Sequence, residues 1–95
     1  MPDDAKNVCS SGWRGVRGTQ VQLENHTSGT ITVFACATGN CTFAFQGPSS
    51  FPVPPGTPTP ATLIANPQLG VTYCYCTSGC PGKEFDTNPK TVIIS

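Results

Sequence analysis

The stretch TYCYCTSGC, residues 72–80, decides the fold because it places three cysteines within seven positions. Alternation along a strand puts Cys74 and Cys76 on one face and Tyr73 and Tyr75 on the other. Side chains two residues apart on a strand diverge too far for a direct disulfide, so each of these cysteines needs a partner elsewhere. The stretch therefore poses a choice between a metal site, a redox site and a disulfide framework.

The remaining cysteines of the chain are Cys9, Cys36 and Cys41. None of the spacings is C-x2-C, which zinc knuckles and thiol redox motifs use. Four thiolates, from Cys36, Cys41, Cys74 and Cys76, would still make a tetrahedral zinc site. Six cysteines in a short chain favour disulfides instead, each adding about 2–4 kcal/mol. We therefore predict that Cys9, Cys36, Cys41, Cys74, Cys76 and Cys80 all form disulfides, with no metal and no cofactor.

Composition bounds the class of protein. The 95 residues are one domain, and a chain of this size has a thin core. Net charge is zero and only 11% of residues are charged, which excludes nucleic acid binding and electrostatic docking on anionic membranes. No apolar run reaches the roughly 20 residues of a membrane helix. The start, MPDDAKNV, is not a signal segment, so we expect either that a signal was removed or that none is used.

Short alternating apolar segments, broken by glycine and proline, predict an all-β protein. About six short strands are expected, in TQVQLEN, TITVFAC, CTFAF, ATLIA, VTYCYCT and VIIS. Their spacing is typical of a small disulfide-stapled antiparallel β-sandwich, Ig-like or jelly-roll-like. Residues 1–18 are predicted to be a flexible N-terminal arm, and residues 19–95 the sandwich. The proline-rich segment 47–60 is predicted to be an extended crossover.

A four-residue linker between TITVFAC and CTFAF predicts a β-hairpin. If Cys36 lies opposite Cys41, Phe34 lies opposite Phe43, and Phe34, Phe43 and Phe45 form a core aromatic face. This register also predicts a Cys36–Cys41 disulfide.

With that hairpin disulfide in place, two pairings stay open for the other cysteines. One joins Cys80 to Cys76 and Cys9 to Cys74, and the other joins Cys80 to Cys74 and Cys9 to Cys76. Cys9 lies in a polar, glycine- and serine-rich leader, KNVCSSGWRG. It is therefore also the candidate for an intermolecular cross-link.

No catalytic constellation is evident in the sequence. The single histidine, His26, lies in a predicted turn, and Glu24, Glu84 and Asp86 show no common register. Asp86 and Asn88 offer too few oxygen ligands for calcium. We therefore predict that the protein is not an enzyme.

Two functions fit these features. The favoured one is a non-enzymatic extracellular structural subunit that self-assembles into a surface fibre, appendage or coat, joined through edge strands and a Cys9 cross-link. The strand–proline-rich–strand layout of residues 30–76 resembles small sandwiches of surface fibres and appendages, in layout alone. The alternative is a secreted monomeric binding or inhibitory module that contacts a protein or glycan through the loops CPGKEF (80–85) or ATGN (37–40).

The expected location follows from the disulfides. Disulfides persist in oxidising environments, which indicates an extracellular protein or one on a cell, spore or virion surface. Asn25 and Asn40 each begin a glycan acceptor sequon, a weak indication of eukaryotic secretion.

Overall fold

A computed structural model describes residues 5–37, 40–80 and 89–95. Strands are the only regular secondary structure of the described residues, which confirms the all-β prediction. No helix among these residues is long and apolar enough to cross a membrane. The nine strands are β1 (Ala5–Asn7), β2 (Trp13–Gly15), β3 (Gln20–Glu24), β4 (Ile31–Phe34), β5 (Cys41–Phe43), β6 (Ser50–Val53), β7 (Thr59–Thr62), β8 (Thr72–Ser78) and β9 (Lys90–Ile94).

Two sheets form a small disulfide-stabilised β-sandwich, as predicted. The smaller sheet has the order β1-β3-β7 and the larger one the order β2-β9-β8-β4-β6, with β5 also paired to β8. Four of the seven strand pairings are antiparallel. The pairs β1–β3, β2–β9 and β5–β8 are parallel, so the sandwich is mixed and not purely antiparallel.

Alternate residues of the strands face the gap between the sheets and build the core. Val21 and Leu23 of β3 are buried while Gln20 is exposed, as the alternation of TQVQLEN predicts. The larger sheet contributes the buried side chains of Ile31, Val33, Val53, Tyr73, Tyr75 and Val92.

Phe45 lies at the centre of an aromatic cluster within this core. Its ring centroid is between 5.5 and 6.2 Å from the centroids of Trp13, Phe43, Phe51 and Tyr75. Tilted and edge-to-face contacts at this distance stabilise aromatic pairs beyond the area that they bury. The aromatic side chains therefore connect β2, β5, β6 and β8 around one buried ring.

The N-terminal segment is not a free arm, so the predicted arm over residues 1–18 is wrong for its described part, residues 5–18. Strand β1 extends the smaller sheet and β2 extends the larger one. Val8, between them, is fully buried. Two strands of three residues each are too short to show a period in the sequence, which is why alternation did not reveal them.

The buried side chain of Tyr75 connects this N-terminal segment to β8 through hydrogen bonds. The Tyr75 hydroxyl accepts a hydrogen bond from Trp13 Nε1 (2.9 Å), and lies within donating distance of the carbonyl oxygens of Val8 (2.9 Å) and Ser10 (3.1 Å). Burial raises the pKa of Tyr75 to about 12, against the opposing effect of the hydrogen bond from Trp13. The phenol is therefore held in its neutral form.

The raised pKa of Tyr75 predicts a loss of stability in alkali. Because the folded state keeps the phenolic proton that the unfolded state releases near pH 10, the stabilisation is complete below pH 10 and is lost as pH rises towards 12. A shift of this size corresponds to a loss on the order of 2–3 kcal/mol. Urea unfolding at several alkaline pH values should show this slope, and Tyr75→Phe should flatten it. An unchanged slope in the variant would contradict the assignment.

The predicted hairpin between residues 30–36 and 41–45 is wrong. Strand β4 pairs with β6 and β8, whereas β5 pairs with β8 alone. Ile31 and Val33 of β4 face the core, so Phe34 lies on the other face, aligned with Ser50 and Cys76. Long-range pairing with β8 therefore overrides the local preference for a hairpin.

Only part of the predicted aromatic face exists. The rings of Phe43 and Phe45 meet edge to face with centroids 5.6 Å apart, and both residues lie in or against the core. Phe34 is aligned with Cys76 and not with Phe43, so the predicted pair of Phe34 and Phe43 does not form.

The proline-rich segment contains two strands, β6 and β7, where a crossover was predicted. Pro52 in β6 is aligned with Thr32, and Pro60 in β7 with Gln22. In the sheet order, both strands lie at an edge. Because proline lacks an N–H, it is tolerated where the nitrogen points away from the neighbouring strand, which is the position an edge provides.

Candidate functional site: the disulfide framework and the β8–β9 groove

All six cysteines are in disulfides, which confirms the predicted framework. The bonds are Cys9–Cys80, Cys36–Cys76 and Cys41–Cys74. None of the predicted pairings occurs, because each depended on a Cys36–Cys41 bridge across a hairpin that does not form. The prediction that Cys74 and Cys76 do not bond to each other holds, since they take different partners on one face of β8.

Cys9 is bonded within its own chain. Its partner Cys80 is 71 residues away in the sequence and is fully buried. Cys80 lies two residues after the end of β8. This pairing leaves Cys9 no thiol with which to form the predicted intermolecular cross-link. The bond instead ties the N-terminal segment to the larger sheet, beside the hydrogen bonds of Tyr75.

The other two disulfides fasten the chain between β4 and β5 onto β8. Cys36 follows β4 and bonds Cys76, while Cys41 begins β5 and bonds Cys74. The Sγ atoms of Cys36 and Cys74, which are not bonded to each other, are 3.9 Å apart. We call these four residues the four-cysteine cluster. It contains the same cysteines that the zinc alternative requires, but here they are disulfides and carry no thiolate.

The cluster explains the burial of β8 on both faces. The residues from Tyr73 to Thr77 are all buried, although β8 belongs to an outer sheet. Tyr73 and Tyr75 face the core, and the disulfides of Cys74 and Cys76 bring Cys36 and Cys41 onto the opposite face. The run of buried residues from Tyr73 to Thr77 therefore reflects two-sided packing.

An uncharged groove of about 250 Å³ runs beside β8 and β9. We call it the β8–β9 groove. The described residues that line it come from the segment before β8 and from the two strands, and none of them is charged. Val71 and Ile93, two of the lining residues, are 36% and 40% exposed, and Leu69 nearby in the chain is fully exposed.

Exposed apolar side chains are concentrated at this groove. Among the described residues four large hydrophobic side chains are exposed: Val16, Leu69, Val71 and Ile93. Val71 and Ile93 line the β8–β9 groove, and Leu69 lies in the chain between two lining residues, Gln68 and Val71. Single exposed apolar residues are ordinary, but grouping around one concave surface is typical of a contact site.

Sequence reasoning missed this groove although one signal for it was present. VIIS carries three consecutive apolar residues, and in a strand the middle one must point away from the other two. Val92 is indeed buried, and Ile93 is exposed. The groove also needs Val71 beside β9, which only the antiparallel β8–β9 pairing reveals.

Two further clefts are lined by charged and polar side chains. One, of about 250 Å³, is lined by Glu24, Asn25, His26 and the segment 56–58. There His26 Nε2 lies 3.0 Å from Glu24 Oε1, and both side chains are exposed. Water competes for both exposed side chains, so this contact adds little stability.

A smaller cleft, of about 200 Å³, includes Lys6 and Arg14. Lys6 Nζ also lies 5.8 Å from the ring centroid of Trp13, a distance at which a cation interacts with an aromatic face. This contact gives Lys6 a packing role at the edge of β1.

The two glycan acceptor sequons differ in exposure. Asn25 is only 6% exposed, and its amide Nδ2 donates to the carbonyl oxygens of Gly29 (2.7 Å) and Val53 (2.8 Å). Its Oδ1 accepts from the backbone N–H of Thr27 (2.8 Å). Asn25 therefore serves as a structural link between the β3–β4 turn and β6. Asn40 is exposed next to Cys41.

Several predicted residues lie outside the described part of the chain. The loop CPGKEF is described only at Cys80, and ATGN only at Ala37 and Asn40. Glu84, Asp86 and Asn88 also fall outside the described residues. The structure therefore does not bear on the contact loops or on the calcium alternative.

No family model, curated protein or solved structure matches this chain.

Proposed function

We propose that the protein is a non-enzymatic, monomeric, disulfide-stabilised binding module that contacts a protein partner through the β8–β9 groove. The observation that carries this proposal is the exposure of Val71 and Ile93 in one uncharged groove, with the exposed Leu69 between two lining residues in the chain. A preorganised surface of this kind loses little conformational entropy on binding. Rigid support comes from β8, which the two disulfides of the four-cysteine cluster hold in place.

The disulfides support a protein that acts in an oxidising environment. Three disulfides in 95 residues are typical of small secreted domains whose cores are too small to be stable alone. An extracellular location, or one on a cell, spore or virion surface, is part of this proposal.

The sheet edges favour a monomer over a polymer built by strand addition. At the edges formed by β6 and β7, Pro52 and Pro60 remove the outward N–H that an added strand would need. The edge strands β1 and β2 have three residues each. Short strands and prolines are the devices by which natural sheets resist edge-to-edge pairing.

A structural subunit, the function favoured from the sequence, is the second candidate. The observation in its favour is the same groove, since an uncharged apolar surface can also pack against a second copy without charge repulsion. Self-assembly would then run through the faces of β8 and β9 and not through strand edges or Cys9.

The oligomeric state distinguishes the two candidates. We expect sedimentation equilibrium of the oxidised protein to give a monomer across the micromolar range and above. A concentration-dependent dimer or polymer that Ile93→Thr dissolves would establish the structural subunit instead. Val16→Thr is the matched control, because Val16 is exposed to 56% and is not among the residues that line the groove.

Partner binding is tested with the same variants. We expect wild-type protein and Val16→Thr to retain a protein partner from extracellular material in equal amounts. Leu69→Ser combined with Ile93→Thr should reduce retention of that partner at least tenfold, which corresponds to about 1.4 kcal/mol. Equal retention by the groove variant would contradict the proposed binding surface.

A further inference from the structure

The four-cysteine cluster brings its sulfur atoms unusually close together. The Sγ atoms of Cys36, Cys41 and Cys74 all lie within 4.8 Å of one another. Cys76 Sγ is bonded to Cys36, and thus lies beside the same group. The cluster brings together four sulfur atoms from two separate parts of the chain, and Cys9 and Cys80 form a separate bond.

We propose that the four-cysteine cluster binds one Zn²⁺ through four thiolates when its two disulfides are reduced. This inference does not rest on the proposed binding function, since it concerns a different redox state and cysteines that are not among the residues lining the groove. It assigns to the reduced chain a structural metal centre, in which zinc takes over the role of the two disulfides.

The sulfur positions fit tetrahedral zinc closely. A Zn–S bond of about 2.3 Å in a tetrahedron places neighbouring sulfurs about 3.8 Å apart. The unbonded pair Cys36 and Cys74 already has its Sγ atoms 3.9 Å apart. Only the two bonded pairs must separate once their disulfides are reduced, a movement that one rotation at a side-chain torsion provides.

The backbone supports this arrangement without large movement. Cys74 and Cys76 lie on one face of a seven-residue strand that β4, β5 and β9 hold from both sides. Cys36 and Cys41 are partly exposed, whereas Cys74 and Cys76 are buried. A metal ion therefore has an entry path on one side and a water-poor setting on the other, as a structural zinc site requires.

The chemistry balances with a phosphine as reductant. Each disulfide accepts two electrons and two protons to give two thiols, while one phosphine per disulfide is oxidised to its oxide with oxygen from water. Zinc then displaces four protons from the four thiols and binds four thiolates, with no change in the oxidation state of the metal. The Cys9–Cys80 pair is reduced in the same way but supplies no ligand.

The test uses the full chain, reduced with a phosphine and titrated with Co²⁺ and then Zn²⁺. We expect one Co²⁺ per chain, with the visible absorption of tetrahedral cobalt and thiolate charge transfer, displaced by one Zn²⁺. Native mass spectrometry should show the chain with a single zinc.

Two double variants locate the site. Cys36→Ala with Cys41→Ala should lose the tetrahedral cobalt spectrum, whereas Cys9→Ala with Cys80→Ala, which removes the same number of thiols, should keep it. Absence of stoichiometric metal binding in the reduced wild type would overturn the proposal. It would also be overturned by a spectrum that survives the first double variant or disappears in the second.

Discussion

Replacement of both Cys9 and Cys80 by alanine is expected to lower the free energy of unfolding by about 4 kcal/mol. The two residues are separated by 71 positions, and the entropy of closing a loop of that length in the unfolded chain gives this magnitude. A domain of this size has a total stability of about 5–10 kcal/mol. Urea unfolding without reductant should therefore show a much lower midpoint for the double variant.

A single substitution provides the control for this pairing. In Cys9→Ala we expect one reactive thiol per chain, which alkylation and peptide mapping should locate at Cys80. A thiol at Cys74 or Cys76 would show that Cys9 pairs as the sequence predicted. A double variant as stable as the wild type under oxidising conditions would also contradict the structural role of this bond.

Phe45→Ala is expected to cost about 3–5 kcal/mol, the range for removing a large aromatic side chain from a core. Phe45 is buried and its ring contacts the rings of four other residues from four strands. In a thin core, little neighbouring structure can relax into the cavity. The loss should appear in urea unfolding measured in the oxidised state.

Phe34→Ala is the matched control for Phe45→Ala. The sequence predicted that both rings lie on one core face, whereas the structure places Phe34, which is only partly buried, on the other side of β4. We expect Phe34→Ala to cost less than half as much as Phe45→Ala. Equal losses for the two variants would support the predicted hairpin register and contradict the register observed here.

The features that sequence predicted correctly are those set by local patterns. Alternation gave the strands β3 and β8 and the buried positions of Val21 and Leu23. Cysteine content indicated a disulfide framework in place of a metal or redox site. Each of these inferences depends only on a few neighbouring residues or on the number of cysteines, so the amino-acid sequence alone is sufficient to make it.

The features that sequence missed depend on which distant segments meet. A four-residue linker favours a hairpin between the segments that contain Cys36 and Cys41. In the structure β4 and β5 each pair with β8 instead, and Cys36 and Cys41 each form a disulfide with a cysteine of β8. The β8–β9 groove likewise depends on the register of two strands far apart in the chain. The hairpin loses to these pairings because β8 is buried on both faces, from Tyr73 to Thr77, and so has two faces to cover.

These results give the six cysteines distinct roles. The Cys9–Cys80 bond ties the N-terminal strands to the body of the sandwich. The four-cysteine cluster fixes the outer face of β8 and, by inference, forms a metal centre after reduction. Neither role requires a second chain, which is why the closed pairing favours a self-contained module over a cross-linked polymer.

The most direct test of this account is disulfide mapping of the native, unreduced protein by mass spectrometry. The oxidised monomer should be about six daltons lighter than the reduced chain, two hydrogens for each of the three bonds. Cleavage after Phe34, Phe43 and Tyr75 separates Cys74 from Cys76 but leaves Cys36 with Cys41 and Cys76 with Cys80. We therefore expect one cluster of disulfide-linked peptides, in which backbone fragmentation assigns Cys41 to Cys74, Cys36 to Cys76 and Cys9 to Cys80. A Cys36–Cys41 disulfide, or Cys9 linked to a second chain, would contradict it.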